Sequence, residues 1–121
     1  MRPERLRISA FGPYAGEEDV DFSVLENHTL FLICGPTGAG KSTILDAMCY
    51  ALYGKTSGAV RSGEDLRSNY VGYDRKTYVE FDFAIGDRHY RIYRSPTQLL
   101  ERRRGTGASL WSIKGKRTFM K

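Results

Sequence analysis

The sequence has few cysteines and no long apolar run. Its two cysteines, Cys34 and Cys49, are isolated and lack the spacing of metal ligands, which argues against a zinc site or a disulfide framework. Because both lie in apolar stretches, we expect buried, reduced thiols. The longest apolar runs cover only a few residues and the chain starts with MRPE, so neither a membrane span nor a signal peptide is predicted. We therefore expect a cytoplasmic protein of one small domain.

Acidic residues are almost missing from the last part of the chain. Residues 88–121 contain ten Lys and Arg but only one acid, Glu101, whereas residues 1–87 contain nine Lys and Arg and thirteen Asp and Glu. A segment this basic favours a polyanionic partner such as nucleic acid, since phosphate contacts release counterions. A solvated or disordered basic tail is an equally open alternative.

Alternating apolar residues are present in two places and predict β-hairpins. Leu6, Ile8 and Ala10 alternate with polar residues, and Val20 and Phe22 do so after the turn-rich stretch 12–16. This pattern predicts an N-terminal hairpin with a broad loop.

The second hairpin has a sharper signal, because Gly86-Asp87 is a two-residue turn between alternating runs. Such a turn fixes the register of its strands. Apolar side chains then meet on one side and charged or polar ones on the other. The predicted pairs are Ile85 with Arg88, Phe83 with Tyr90, Phe81 with Ile92, Asp82 with Arg91 and Glu80 with Tyr93.

The central part of the chain predicts a buried strand followed by a helix. The unbroken apolar run Leu30 to Cys34 has the length of a central strand. Apolar residues at helical spacing predict a helix from Lys41 to Tyr53, buried on most sides and stopped by Gly54. Residues 55–76 are expected to form an exposed loop. After Pro96 we expect a flexible basic loop, ERRRGTG, and one last short strand at 110–113.

A phosphate-binding motif lies at the predicted junction of this strand and helix. Residues 35–42 match G-x-x-x-x-G-K-[ST], in which backbone N–H groups and the helix N-terminus hold phosphate oxygens. Lys41 is expected to reach the β- and γ-phosphates, Ser42 to ligate Mg²⁺, and Thr43 to touch the α-phosphate. The predicted ATP-binding residues are Gly35, Pro36, Thr37, Gly38, Ala39, Gly40, Lys41, Ser42 and Thr43.

The residues that hydrolysis needs are not recognisable in the sequence. Hydrolysis requires a carboxylate on a second strand to fix Mg²⁺ and a group that orients the attacking water. No apolar run ends in Asp or Asp-Glu, and no LSGG-like signature follows. We therefore predict a P-loop NTPase segment of the α/β class whose catalytic set is incomplete, so that the 121-residue chain alone is inactive as an ATPase.

Four stretches together resemble one family of DNA-repair ATPases. SAFGPYAGEEDVDF, LFLICGPTGAGKSTILDAMCYALYG, LRSNY and TYVEFDFAIGDRHYRIYRSP follow each other in the order and at the spacing of the N-terminal ATPase segment of the SbcC family. These proteins are SMC-like ATPases with zinc-hook coiled coils. The resemblance covers residues 2–96, and the residues after Gly105 are expected to match the family poorly.

The resemblance implies an N-terminal lobe of an ABC-type ATPase head over residues 1–96, followed at 97–121 by a basic loop and a truncated end. In this family such a lobe folds with a distant C-terminal half-head, and two heads sandwich ATP. The heads carry an SbcD-type nuclease subunit that acts on DNA ends and hairpins in double-strand-break repair. The Phe11–Tyr14 turn is then expected near the adenosine.

Other functions remain open on the residues alone. RecN, RecF and SMC-type ATPases and the ATPase lobe of an ABC transporter share the strand, loop and helix. An ATP-independent nucleic-acid-binding module is the non-enzymatic alternative, with basic residues interleaved among Tyr78, Tyr90, Tyr93 and Trp111. His28 and His89 are expected in a loop and on the solvent face of a strand, and Asp46 is expected to be structural, so none is assigned a catalytic role.

Overall fold

The computed structural model describes residues 1–25, 32, 34–35, 41–55, 66–72, 74–96, 98–101, 110–113 and 116–120. Its strands are β1 (Arg2–Phe11), β2 (Tyr14–Asp21), β3 (Tyr78–Ile85), β4 (Arg88–Ser95), β5 (Gln98–Glu101), β6 (Leu110–Ile113) and β7 (Lys116–Met120). A short 3-10 helix covers Ser23–Leu25, and the α-helix α1 covers Lys41–Tyr53. The predicted helix bounds are confirmed.

Five of the strands form an antiparallel sheet in the order β2-β1-β3-β4-β7, and β5 pairs with β6 in a separate two-stranded sheet. Helix α1 packs on one face of the larger sheet, against β1, β3 and β4. The α/β class predicted from the sequence is confirmed. None of the helices in these ranges has the length and apolar character needed to cross a bilayer.

The N-terminal hairpin is confirmed, but its loop is shorter than predicted. Phe11 pairs with Tyr14, which leaves only Gly12 and Pro13 in the turn. Gly12 has a φ of 56°, a conformation open to glycine at little cost, and this lets the chain reverse within two residues. The expectation of a broad loop over residues 12–16 was therefore wrong.

The register predicted for the second hairpin is confirmed at every pair. The two-residue turn joins Ile85 to Arg88, and the partner pairs along β3 and β4 follow from it. Phe81, which lies opposite Ile92, is fully buried. On the other face, Arg91 donates from Nε to Asp82 Oδ1 at 2.7 Å. The two-residue turn and the side-chain pairs thus favour the same register of β3 with β4.

The core lies between this sheet and one face of α1. Ala47, Tyr50 and Ala51 are the buried residues of the helix, whereas Leu45 is 53% and Tyr53 75% exposed. The helix therefore buries one face rather than most sides, because among the described elements only the sheet covers it. The sheet contributes Leu6, Ile8, Phe11, Val79, Phe81, Phe83 and Ile92, and two buried residues outside the strands, Phe22 and Leu66, complete the cluster.

The central strand predicted at Leu30 to Cys34 is wrong for the two residues of it that are described. Leu32 and Cys34 lie outside any strand, and Leu32 is 84% exposed. An apolar run of this length does not by itself determine a strand, and the exposure of Leu32 shows that this side chain is not covered by the sheet. Both cysteines are free, as expected, but Cys34 is exposed and Cys49 only half-buried. Residues 30, 31 and 33 lie outside the described residues.

The segments that join these elements differ from the predictions in part. The described residues of the loop at 55–76 form no strand beyond a single bridge between Phe11 and Arg67, but Leu66 and Ser68 are buried. The strand predicted at 110–113 is confirmed as β6. Strands β5 and β7 have no clear alternation and were not predicted. Most of the basic loop ERRRGTG lies outside the described residues.

Candidate nucleotide-binding site

The predicted phosphate motif leads directly into helix α1. The helix begins at Lys41, where the motif requires it, and the Ser42 side chain is exposed while Thr43 is half-buried. Gly35 is described and exposed, whereas residues 36–40 and the side chain of Lys41 lie outside the described part of the structure. The predicted contacts of residues 35–43 with ATP stay predictions.

The charge distribution along α1 suits an anion at its N-terminus. The first turn of the helix contains no acidic residue, so no side chain of that turn neutralises the positive end of the helix dipole. The first N–H groups of a helix have no partner within the helix and bind anions well. The Ser42 side chain at this end of α1 is exposed, and the end is free of acidic side chains from its own first turn.

The turn of the first hairpin lies against this end of the helix. A Cβ atom added to Gly12 would sit 2.9 Å from Thr43 Cγ2 and 3.3 Å from Thr43 Oγ1. A side chain at position 12 would clash with the Thr43 side chain unless Thr43 moved, so glycine suits this close approach. The contact brings the Phe11–Tyr14 turn next to a predicted phosphate-binding residue, which the spacing of the two segments in the sequence does not reveal.

A short segment after the helix holds the same turn from its other side. The Gly12 N–H donates to the Leu66 carbonyl at 2.9 Å, and the Ser68 N–H donates to the Ala10 carbonyl at 2.8 Å. Between these bonds, Phe11 and Arg67 form an antiparallel bridge. The turn therefore has backbone partners in the segment starting at Leu66 as well as the contact with Thr43.

The C-terminal end of α1 is held by glycine and by an arginine of β4. Gly54, with a φ of 77°, donates its N–H to the Tyr50 carbonyl at 2.8 Å and ends the helix as predicted. The last turn has no basic residue of its own. Arg94 supplies that charge, because its Nε donates to the Ala51 carbonyl at 3.1 Å and its guanidinium lies 5.8 Å from the centre of the Tyr50 ring.

The face of the sheet away from α1 carries paired charges. Arg5 donates from Nε to Asp19 Oδ1 at 2.8 Å, and this hydrogen bond lowers the pKa of Asp19 below its ordinary value. Arg91 bonds Asp82 with two nitrogens, at 2.7 and 2.8 Å, which raises the pKa of Arg91. These guanidinium groups are already engaged by carboxylates, which weakens the case for this face as a phosphate-binding surface.

The tyrosines of the nucleic-acid alternative separate onto the two faces. Tyr90 stacks on Phe83 with ring centres 5.5 Å apart and packs against the core, as the hairpin register implied. Tyr78 and Tyr93 stack on the outer face at 5.3 Å. Burial and a hydrogen bond to Glu17 raise the pKa of Tyr78. The side chain of Trp111 lies outside the described residues.

His89 is exposed on the solvent face of β4, as predicted. It has a carboxylate neighbour that its position in the sequence did not indicate, since its Nδ1 lies 2.7 Å from Glu4 Oε1. His89 lies on the opposite face of β4 from Arg94, which contacts α1, so we assign the pair no role in the nucleotide site. His28 lies outside the described residues, and Asp46 lies in the second turn of α1.

With this geometry established, the chain can be compared with known proteins. A family model described as an AAA domain matches residues 5–121. The chain belongs to the AAA domain family. The match extends beyond Gly105, where the sequence had led us to expect little similarity. Membership of this family of P-loop nucleotide-binding domains agrees with the motif at residues 35–42 and with the α/β fold.

Curated members of the SbcC group are similar to most of this AAA domain chain. The SbcC component of the nuclease SbcCD from Vibrio cholerae is 50% identical over 107 residues, which are 88% of this chain and 11% of the relative. The proteins of the same name from Lactococcus lactis and Staphylococcus aureus are 47% and 43% identical, over 91% and 84% of this chain and 10% of each relative. The chain thus spans about a tenth of the length of these relatives.

Proposed function

We propose that this AAA domain chain is the ATP-binding N-terminal lobe of an ABC-type ATPase head in an SbcC-like nuclease complex. The observation that carries the proposal is the placement of the phosphate motif: helix α1 begins at Lys41 with an exposed Ser42, and the Gly12 turn packs on Thr43. The similarity to the SbcC component of the nuclease SbcCD favours this function over a RecN, RecF, SMC or transporter ATPase.

In this proposal, ATP with Mg²⁺ binds at the N-terminal end of α1. Backbone N–H groups of residues 37–40 surround the phosphates, the Lys41 ammonium neutralises the β- and γ-phosphates, and the Ser42 hydroxyl ligates Mg²⁺. Thr43 lies beside the α-phosphate. The Phe11–Tyr14 turn, which contacts Thr43, is the part of the first hairpin nearest to the adenosine.

The same proposal assigns the partners of the chain. The lobe at residues 1–96 would join a C-terminal half-head and dimerise with a second head, together with an SbcD-type nuclease subunit and DNA, in the cytoplasm. Exposed apolar side chains on α1, Leu45 and Tyr53, support a further protein layer over the helix. The ATP-independent nucleic-acid module has less support, since Arg5 and Arg91 on the outer face are paired with carboxylates.

The proposal is tested by titrating Mg-ATP into the chain and into Lys41→Ala. Removal of the ammonium is expected to weaken binding by roughly 10- to 100-fold, because a hydrogen bond to a charged group is worth about 1.5–3 kcal/mol. Lys55→Ala is the matched control, because Lys55 is an exposed lysine just beyond the other end of α1. Equal affinities of the two variants would contradict the assignment of the phosphate site.

Two further measurements separate the lobe from its alternatives. We expect no ATP hydrolysis by the 121-residue chain, so measurable Lys41-dependent turnover would contradict the incomplete catalytic set. Duplex DNA should be tested over a range of salt concentrations. DNA binding with a steep salt dependence that Lys41→Ala leaves unchanged, together with no nucleotide binding, would favour the nucleic-acid module.

A further inference from the structure

Arg67 is half-buried and its guanidinium lies among oxygen acceptors from several parts of the chain. Its Nη1 is 2.6 Å from the Arg75 carbonyl oxygen, 2.9 Å from Thr77 Oγ1 and 3.0 Å from Gln98 Oε1, and Nη2 donates to the Gly72 carbonyl. One side chain thus holds the loop that follows it, the start of β3 and the start of β5.

Two of these partners are themselves buried and joined to each other. Thr77 is fully buried and Gln98 is 6% exposed. The Thr77 N–H donates to Gln98 Oε1 at 2.7 Å, and Gln98 Nε2 donates to the Thr77 carbonyl at 3.0 Å. Thr77 Oγ1 in turn donates to the Ala10 carbonyl at 2.9 Å. Because buried polar groups are costly to leave unpaired, the geometry of this network is strongly constrained.

The network ends at the turn beside the candidate nucleotide site. The backbone of Arg67 bridges Phe11, and its neighbours Leu66 and Ser68 bond Gly12 and Ala10. Gly12 in turn abuts Thr43 in the first turn of α1. A continuous series of contacts therefore runs from the Arg67 guanidinium to a residue expected at the α-phosphate.

We propose that Arg67 is a positioning residue of the nucleotide site, which acts through the Gly12 turn on Thr43. This inference rests on the function proposed above. It assigns to Arg67 no contact with ATP; the guanidinium sets the position of the turn against the helix. It also makes Gln98, which lies two residues beyond Pro96 at the start of β5, part of the support for the site.

The shape of the guanidinium explains why an arginine is needed there. Its planar fork presents N–H groups in fixed directions, so one side chain can meet several separate oxygens. A lysine keeps the positive charge but has a single ammonium that cannot reproduce this geometry. Arg67→Lys therefore removes the guanidinium's set of hydrogen bonds to these oxygens while it conserves the charge. Arg91→Lys is the matched control, because Arg91 is held by Asp82 on the outer face of the sheet.

The first test needs no nucleotide. Amide hydrogen exchange of Gly12 and Ser68, whose N–H groups bond Leu66 and Ala10, reports on the closure of the turn. We expect both amides to exchange about tenfold faster in Arg67→Lys and at an unchanged rate in Arg91→Lys. Unchanged protection in a folded Arg67→Lys variant would overturn the proposal whether or not the chain binds ATP.

The second test measures affinity for Mg-ATP in a double-substitution cycle. Arg67→Lys is expected to weaken binding about fivefold, whereas Arg91→Lys stays within about twofold. If Arg67 acts through Thr43, the loss should be much smaller in a Thr43→Val background, so that the two effects are not additive. Full additivity would overturn the proposed route, since Arg67 would then act independently of Thr43.

A third variant covers the case in which Arg67→Lys does not fold. Gln98→Met removes one acceptor of the guanidinium at similar volume. We expect faster exchange of the Gly12 amide and weaker Mg-ATP binding, and both effects should be smaller than those of Arg67→Lys. Wild-type exchange and affinity in Gln98→Met would count against the network. No Mg-ATP binding by the wild-type chain would instead refute the proposed function, and the exchange data would still decide whether Arg67 holds the turn.

Discussion

The two β-hairpins of the large sheet have similar turns but different surroundings. Gly12 and Gly86 both adopt a positive φ, 56° and 59°, in two-residue turns. A Cβ atom on Gly12 would lie 2.9 Å from Thr43, whereas one on Gly86 would meet no atom within 4 Å. The local conformation is thus shared, and only the first turn is also a packing contact.

The two hairpins also differ in their polar and close contacts with helix α1, although Phe11 of the first hairpin packs near Tyr50 in the last turn as well. The β1–β2 hairpin contacts the N-terminal turn through Gly12 and Thr43, and the β3–β4 hairpin contacts the C-terminal turn through Arg94 and Ala51. The first end is where the phosphate motif lies. We therefore expect changes in the first hairpin to affect nucleotide binding, and changes in the second to affect mainly the stability of the fold.

The largest expected difference is between Gly12→Ala and Gly86→Ala. Both substitutions force a side chain into the left-handed region, at a cost of roughly 1–2 kcal/mol. Gly12→Ala also overpacks Thr43, which adds about 1–3 kcal/mol. Urea unfolding should therefore rank Gly12→Ala well below Gly86→Ala in free energy of unfolding, and Mg-ATP titration should show weaker binding by Gly12→Ala only. Equal losses of stability would contradict the contact with Thr43.

A smaller effect is expected at the other end of the helix. Arg94→Gln removes the positive charge next to the last turn of α1 and its interaction with Tyr50, and should lower the free energy of unfolding by about 1 kcal/mol. Arg88→Gln, an exposed arginine in the same strand, should change it little. Affinity of the folded chain for Mg-ATP should be the same in both. A loss of affinity confined to Arg94→Gln would break the division of roles between the hairpins.

The smallest effect concerns the exposed pair of Arg5 and Asp19 in the first hairpin. The hydrogen bond from Arg5 lowers the pKa of Asp19 in the folded state. The stabilisation of the fold by this pair is therefore present above the unfolded pKa of about 3.9, and it is lost as the pH falls through the lower pKa of the folded state. Because solvent and salt screen this pair, the effect should be slight.

Urea midpoints measured between neutral pH and about pH 2 will check this dependence. The fall of stability in acid should be less steep in Asp19→Asn than in the wild type, and the difference should shrink at high salt. A pH profile that is identical in the two proteins would show that the pair contributes nothing. In either case Mg-ATP affinity at neutral pH should not change, because the pair lies on the face of the sheet away from α1.

Local patterns in the sequence were sufficient for much of the fold. The Gly86-Asp87 turn determined the register of β3 with β4, since a two-residue turn leaves no other pairing. Helical spacing and Gly54 determined the bounds of α1. The strand predicted at 30–34 is wrong at Leu32 and Cys34, because an apolar stretch alone does not determine whether its residues are covered by a sheet. Strand β7 was missed for the opposite reason: its pairing with β4 supplies what its own pattern lacks.

By itself, the sequence determined the α/β class, the two hairpins, the start of α1 at Lys41 and the motif that leads into it. These features depend on residues close together in the chain, whose turn chemistry and periodicity act locally. Only the tertiary structure decided that Gly12 lies against Thr43, that the Arg67 guanidinium donates hydrogen bonds to oxygens of three segments, and that Arg94 lies at the end of α1. Those contacts join distant residues through packing and buried hydrogen bonds, which no local pattern records.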